Sequence, residues 1–565
     1  MRAALHCWFR TESRPLSGWV HLPDRGEASG VAVFCAPLGH EANNAQWALQ
    51  AAAERLAAAD VACVRFDYTG TGDSAGALSD PGRLKEWIAD IGAATSFARD
   101  LGPNRLVLVG MRMGCLLAAE AVRAGAAVDG LVLWDPSATG RSFFRIEQTL
   151  LATGYGAKQP DDGSVAGPAF RYSAETVADL SPLELGTAPA KRTLVLAREG
   201  DRALAKTRAR FADDVDWEEV SGQSELLDVP PDMTRLPESA VDRVVAWTRG
   251  RLQGSPTVIK RPDGHSSALV SEVGAPPVRE RPFRLGPNGL FAMAAEPGAS
   301  EAAAQTVMFL SAGALDHGGP GRLWVTLARR FASAGVRSVR VDFDGIGETF
   351  GRPGQPRNIP KPPEAIDDLC DLAATLGDVD AADLVLVGLS SGAYHAIEGG
   401  LRFHPSGVAA INPGLASWVP EIEEGRVDSR RRAYRPMPAA LRRVAVKHGR
   451  SARWLWRATL QVVVNRSPNW PVAEVARRGI PMLIIVNEHD SVQFEPSLYW
   501  SLVRRRLRRR GLLTVDRVPG SDHSLYTPGG MERATVILTD WVLSLCGSDR
   551  RKSVRQRVWS DDPQM

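Results

Sequence analysis

A run of leucine and valine leads into Gly110-Met111-Arg112-Met113-Gly114, and a second such run leads into Gly388-Leu389-Ser390-Ser391-Gly392. Glycines two places either side of a central residue, where an apolar run gives way to helical periodicity, predict a strand turning sharply into a helix. Such a turn commits both flanks: the strand must lie in a sheet, and the helix must pack on it. Further apolar runs alternate with amphipathic stretches around each copy. They are residues 31–35, 61–66, 105–109, 130–134 and 193–197 in one half, and 306–310, 337–343, 384–387, 407–411 and 482–486 in the other. That alternation predicts the α/β class, with mostly parallel sheets flanked by helices.

Other landmarks recur in the same order. Arg65-Phe66-Asp67-Tyr68-Thr69-Gly70-Thr71-Gly72-Asp73-Ser74 matches Arg340-Val341-Asp342-Phe343-Asp344-Gly345-Ile346-Gly347-Glu348-Thr349 in residue type, position by position. Val220-Ser221-Gly222-Gln223-Ser224-Glu225 matches Val518-Pro519-Gly520-Ser521-Asp522-His523. At 565 residues the chain is too long for one core. It reads as two copies of one domain, over 1–252 and 283–548, joined by a Pro/Gly/Ser-containing linker, 253–282, and followed by a basic tail, 549–565, expected to be disordered.

Composition excludes several classes. A formal charge of +3 gives no global attraction to nucleic acid or membrane. No stretch approaches the roughly 20 apolar residues of a membrane span. Met1-Arg2-Ala3-Ala4-Leu5-His6 lacks the apolar core of a signal peptide, so a cytoplasmic protein is expected. The six cysteines show no C-x-x-C spacing and read as buried reduced thiols; neither a metal nor a cofactor is expected.

Both halves resemble α/β-hydrolases, on the Arg-x-Asp-x-x-Gly-x-Gly turn, the glycine-flanked elbow and the late Asp and His. Each also resembles the small α/β-hydrolases related to serine aminopeptidases that are encoded beside bacterial exosortase and exopolysaccharide systems. Ser311-Ala312-Gly313 followed by Gly319-Pro320-Gly321-Arg322-Leu323-Trp324 is similar to that group, and the elbow of the first half looks like a subgroup that also has arginine there. The likeness covers most of 1–548 and implies two tandem α/β-hydrolase domains. Such a fold hosts many reactions, so it implies chemistry better than substrate.

In the second half, Gly388-Leu389-Ser390-Ser391-Gly392 is followed by Asp490, just past the run 482–486, and by His523 in a Gly-Ser-Asp-His loop. Ser, Asp, His is the chain order of this fold. Ser390 would attack a carbonyl, His523 would take and return the proton, and Asp490 would hold the imidazole. Glu488 is an alternative acid. The oxyanion needs donors, expected from the N–H of Ser391 and from Gly313 and Ala314. His317-Gly318-Gly319 falls several residues late and reads as a neighbouring turn.

The first half lacks these parts. Arg112 takes the place of the nucleophile, and its guanidinium stays protonated. Glu225 takes the place of the base, Asp201 is left as the candidate for the acid position, and no histidine follows the elbow before His265. A degenerate, non-catalytic site is expected, with Arg112 paired to Glu225 or Asp201 or holding an anionic ligand. Cys115 reads as a packed small residue.

A lid is expected over about 413–480, rich in arginine and carrying Trp418, Trp454, Trp456 and Trp470. It reads either as a solvated helical cap or as an acyl groove whose basic rim attracts an acidic acyl carrier protein. A second cluster, Arg504-Arg505-Arg506-Leu507-Arg508-Arg509-Arg510, should end a surface helix. No nucleic-acid module accompanies these arginines. The leading expectation is a serine hydrolase acting on a small-molecule or carrier-bound ester, thioester or amide. An acyltransferase or cyclase on the same residues is the first alternative, and a non-catalytic scaffold the second.

Overall fold

The structure, a computed structural model, describes residues 4–546 except 415–468 and the short segments 11–13, 187–191, 209–210, 212–214, 263, 271–274, 299–304, 363, 377–378, 489 and 492–497. Each half is built on one mixed sheet. The first orders its strands Leu5–Phe9, Leu16–His21, Ala62–Phe66, Val31–Cys35, Leu106–Met111, Gly130–Trp134, Thr193–Arg198 and Val215–Val220. The second orders them Ala268–Val270, Val278–Leu285, Leu290–Pro297, Arg337–Val341, Thr306–Phe309, Leu384–Leu389, Gly407–Ile411, Met482–Val486 and Leu513–Arg517. Apart from the extra edge strand Ala268–Val270, the orders are the same. In each, an antiparallel hairpin precedes strands that run parallel.

The inner parallel strands, such as Val31–Cys35, Leu106–Met111, Leu384–Leu389 and Met482–Val486, are apolar along their whole length because both of their faces are covered, whereas the edge strands Val215–Val220 and Leu513–Arg517 carry charged residues. In the first half the helices Arg83–Asp100 and Met113–Arg123 bury one face, while His40–Ala58 and Glu238–Arg251 bury the other. In the second, Ala365–Thr375, Ser391–Arg402 and Trp470–Arg477 lie opposite Leu323–Ser333 and Pro528–Cys546.

The halves meet through their antiparallel hairpins. Trp8 and Trp19 of the first half pack with Ala268, Phe291 and Met293 of the second, and the rings of Trp19 and Phe291 lie 4.9 Å apart, edge to face. Burying a large apolar side chain contributes about 1.5–3 kcal/mol. Beside this cluster the matched motifs exchange partners. Arg65 donates to both carboxylate oxygens of Glu348 at 2.9 Å, and Arg340 reaches Asp73 and, at 2.9 Å, Glu280. Arg65 corresponds to Arg340 and Asp73 to Glu348, so the contact is reciprocal, as in a two-fold dimer. Arg322 inserts into the glycine turn of the first half and donates to the carbonyls of Gly70 (2.7 Å), Gly72 (2.6 Å), Ser74 (2.8 Å) and Gly76 (3.0 Å).

The stretch 253–282 differs from a free linker. Thr257–Val258 pairs with Glu27–Ala28 of the first half, while Ala268–Val270 and the start of Val278–Leu285 belong to the second sheet. Most of the expected lid and the whole tail 549–565 lie outside the described residues; of the lid, helix Trp470–Arg477 packs on the second domain, with Trp470 exposed. Among the described residues no helix is long and apolar enough to cross a membrane.

Candidate active site

Strand Leu384–Leu389 ends at Gly388 and Leu389, and helix Ser391–Arg402 starts two residues later, with Ser390 as the hinge. Ser390 takes φ 56° and ψ −112°, a strained conformation for an L-residue. The flanking glycines allow it: a Cβ on Gly392 would sit 2.7 Å from the carbonyl oxygen of Ser311, and one on Gly388 would collide with the Gly392 backbone. The turn lifts the Ser390 side chain over the carboxyl ends of the parallel strands.

There the structure brings the three expected residues together. His523 Nε2 lies 2.9 Å from Ser390 Oγ, and His523 Nδ1 lies 2.7 Å from Asp490 Oδ2. Asp490 is buried and Glu488 is exposed, so it is Asp490 that faces the imidazole. The hydrogen bond to Asp490 raises the His523 pKa, burial opposes it, and the charges of Asp490 and Asp522 add to the rise.

Two asparagines that sequence reasoning missed hold this group. Asn487 follows strand Met482–Val486; its Nδ2 donates to Asp490 Oδ2 at 2.9 Å, and its Oδ1 accepts from the Asp490 N–H at 2.6 Å. Asn412 follows strand Gly407–Ile411; its Nδ2 donates to the carbonyl of His523 at 2.7 Å, and its Oδ1 accepts from the Asn487 N–H at 2.9 Å. Asn412 has φ 45°, a left-handed conformation that asparagine tolerates better than most residues. A polar residue straight after each apolar strand was the available signal.

The oxyanion donors need one correction. The N–H of Gly313 donates to Ser391 Oγ at 2.8 Å, so Gly313 steers the loop rather than offering a donor. The N–H groups of Ser391, at the head of its helix, and of Ala314 have no partner among the described residues. His317 points away from the site: its Nδ1 is 2.9 Å from Asp342 and its Nε2 is 2.8 Å from Asp73 of the first half.

In the first half the elbow keeps its shape, with Arg112 at φ 53° and ψ −120°. Its partners are not the expected Glu225 or Asp201. Arg112 Nε donates to Glu41 at 2.8 Å and Nη1 to the Asp135 carbonyl at 3.0 Å, with the Asp135 carboxylate 3.5 Å away. Strand register shows why. Asp135 stands where Asn412 stands in the other half, and Arg198, which donates to Asp135 at 2.8 Å, stands where Asn487 does. Burial alone would lower the Arg112 pKa, and Glu41 and Asp135 outweigh it, so the guanidinium stays charged. Asp201 accepts from the N–H of Leu204 at 3.1 Å, and Glu225 is exposed. Cys115 is buried, which pushes its thiol well above the ordinary value.

The arginines from 504 to 510 end helix Leu498–Arg509, with Arg505, Arg508, Arg509 and Arg510 exposed. That helix leads into strand Leu513–Arg517, so this cluster sits at the amino ends of the strands, opposite Ser390. Among the described residues no cluster of three or more His, Cys, Asp or Glu side chains is placed to hold a metal.

Residues 315–533 match the model of the alpha/beta hydrolase family, and residues 37–164 match that of serine aminopeptidase, S33. Solved structures similar to one half include Est1E from Butyrivibrio proteoclasticus, at 14% identity and TM-score 0.34, over 44% of this chain and 99% of that one. A highly thermostable carboxyl esterase from Bacillus coagulans is 13% identical, with TM-score 0.33, over 45% of this chain and 100% of its own. XC6422 from Xanthomonas campestris, an a/b serine hydrolase without lid, is 18% identical, with TM-score 0.28, over 45% and 93%. No curated protein sequence matches the chain.

Proposed function

Taking the chain as two tandem α/β-hydrolase domains, we propose that the C-terminal one is a serine hydrolase that cleaves an ester, thioester or amide through an acyl-Ser390 intermediate. The observation that carries this is the unbroken relay of Asp490, His523 and Ser390, at 2.7 and 2.9 Å, on a strained elbow. A serine hydroxyl is a weak nucleophile until a base takes its proton. His523 Nε2 is placed to take it, to return it to the leaving group, and then to activate water for deacylation. Asp490 fixes the tautomer with Nδ1 protonated and stabilises the imidazolium. The N–H groups of Ser391 and Ala314 would face the oxyanion; losing one such donor typically costs ~10²–10³ in rate.

The N-terminal domain takes no chemical step in this reading, because an arginine stands at its elbow and that arginine is neutralised in place. The imidazole of His523 is 46% exposed, which leaves room for the water that deacylation needs. A covered site would favour the acyltransferase or cyclase.

Incubation with activated acyl esters and acyl thioesters, followed by intact-mass analysis, tests the proposal. An acyl adduct on Ser390 that decays with release of the free acid is expected, with none on Ser390→Ala. Equal turnover by wild type and Ser390→Ala would sink it.

A further inference from the structure

The N-terminal half reaches the loop that carries His523. Its strands Val165–Gly167 and Phe170–Tyr172 form a short hairpin whose turn includes Ala169 at φ 66°, a left-handed conformation that strains an alanine. From there the Ala169 N–H donates across the domain boundary to the carbonyl of Tyr526 at 2.8 Å. Tyr155, the last residue of helix Gly140–Tyr155, sets its ring edge-on against that of Tyr526, with centroids 5.7 Å apart. Gly321 of the second half lies so close beneath the turn that a Cβ there would come within 2.6 Å of the Ala169 carbonyl oxygen. The hairpin is braced from behind by Gln159, which donates to the Ala166 carbonyl at 2.9 Å and accepts from its N–H at 3.0 Å.

Tyr526 lies three residues past His523, and the segment between them has little slack. The Asp522 carboxylate accepts from the N–H groups of Ser524 and Thr527, each at 2.9 Å. Leu525 is buried at φ 60°. On the other side, Asn412 holds the His523 carbonyl at 2.7 Å. The loop is thus held by its own half at His523 and Leu525 and by the neighbouring half at Tyr526.

We propose that the N-terminal half acts as a positioning element for the C-terminal site. Through Tyr155 and Ala169 it fixes the Tyr526 end of the loop, and so sets the imidazole of His523 against Ser390. This rests on the reading of Ser390, His523 and Asp490 given above. It gives the half whose elbow carries arginine in place of serine a task in the reaction that needs none of the usual catalytic groups.

The test uses the full-length chain as wild type, Tyr155→Ala and Tyr155→Phe. The rate of inactivation by a fluorophosphonate is measured against pH, together with melting temperature and hydrogen exchange over residues 520–527. Misplacing a reacting group by an ångström can cost ~10²-fold, so Tyr155→Ala should slow labelling of Ser390 about 10- to 100-fold. Its melting temperature should hold while protection of the loop falls. Tyr155→Phe keeps the ring and should label as wild type does. If Tyr155→Ala misfolds, Tyr155→Leu carries the same expectation with smaller amplitude. Wild-type labelling in a folded Tyr155→Ala, or equal slowing in Tyr155→Phe, overturns the positioning role alone. No labelling of Ser390 in wild type overturns the reading of the site and this role with it.

Discussion

Asp490 holds its place through Asn487 and Asn412, and that chain of side chains fixes what a change at either end should do. Asp490→Asn would favour the wrong tautomer of His523, so turnover should fall ~10³–10⁴-fold, read as kcat on an activated ester. The base must be neutral to act, so activity should rise as pH increases through the His523 pKa. Because Asp490 raises that pKa above the ordinary 6.5, the rising limb should lie above that value in wild type and move down in Asp490→Asn. An unchanged limb would separate Asp490 from the base. Ser390, His523 and Asp490 could be read from sequence because each sits in a loop of recognisable spacing after a predicted strand. Asn412 and Asn487 could not, because a lone asparagine after a strand is also what an ordinary turn contains. Only the three-dimensional closeness of the two strand ends gives them their role.

The two elbows have the same backbone with different occupants, which shows that the turn survives without a nucleophile. Gly110 and Gly114 still fit only as glycines, since a Cβ on either would meet backbone at the heart of the turn. Removing Arg112 would leave Glu41 and Asp135 buried with one cation fewer between them. Arg112→Ala should therefore cost about 3–5 kcal/mol of stability in chemical denaturation, while labelling of Ser390 in folded protein persists. Loss of that labelling in a folded Arg112→Ala would show that the Ser390 site depends on the packing around Arg112. The inner parallel strands were legible because burial on both faces makes them continuous apolar runs, whereas the edge strand Val215–Val220, with Asp216, Glu218 and Glu219, gives no such run. The hairpin strand Val278–Leu285 was not: its first part, with Arg279, Glu280, Arg281 and Pro282, reads as the end of the linker. Its charge is part of the packing, since Glu280 is fully buried and accepts from Arg329 and Arg340. The arginine cluster was legible as a helix end, but only the direction of the parallel strand after it puts the cluster at the far end from Ser390.

At the scale of the whole chain, the interface is a hydrophobic patch ringed by buried ions. His317 sits between Asp342 and Asp73 from opposite halves. Burial disfavours the charged ring, and the two carboxylates outweigh it, so its pKa lies well above the ordinary value. A raised pKa means a stabilising contribution present below the unfolded value of 6.5 and lost as pH climbs through the folded one. Glu348 behaves oppositely: burial raises it, Arg65 outweighs that and brings it down to about 2, so its contribution fades only as pH falls from the ordinary carboxylate range toward 2. His317→Gln should thus be less stable than wild type at neutral pH and should lack part of the alkaline loss of stability. Parallel denaturation curves at neutral and alkaline pH measure this, and identical pH dependence would show that His317 is not charged in the folded chain. Recurrent motifs made the duplication legible; the exchange of Arg65 and Arg340 between halves was not, because matched residues in a repeat do not reveal whether they face their own domain or the other. The central claim, an activated Ser390 in the C-terminal half beside an inert N-terminal one, is tested most directly by fluorophosphonate labelling with peptide mapping on wild type, Ser390→Ala and His523→Ala. One adduct is expected, on Ser390, absent from Ser390→Ala and strongly slowed in His523→Ala. An adduct elsewhere, or labelling of Ser390 that does not depend on His523, would contradict it.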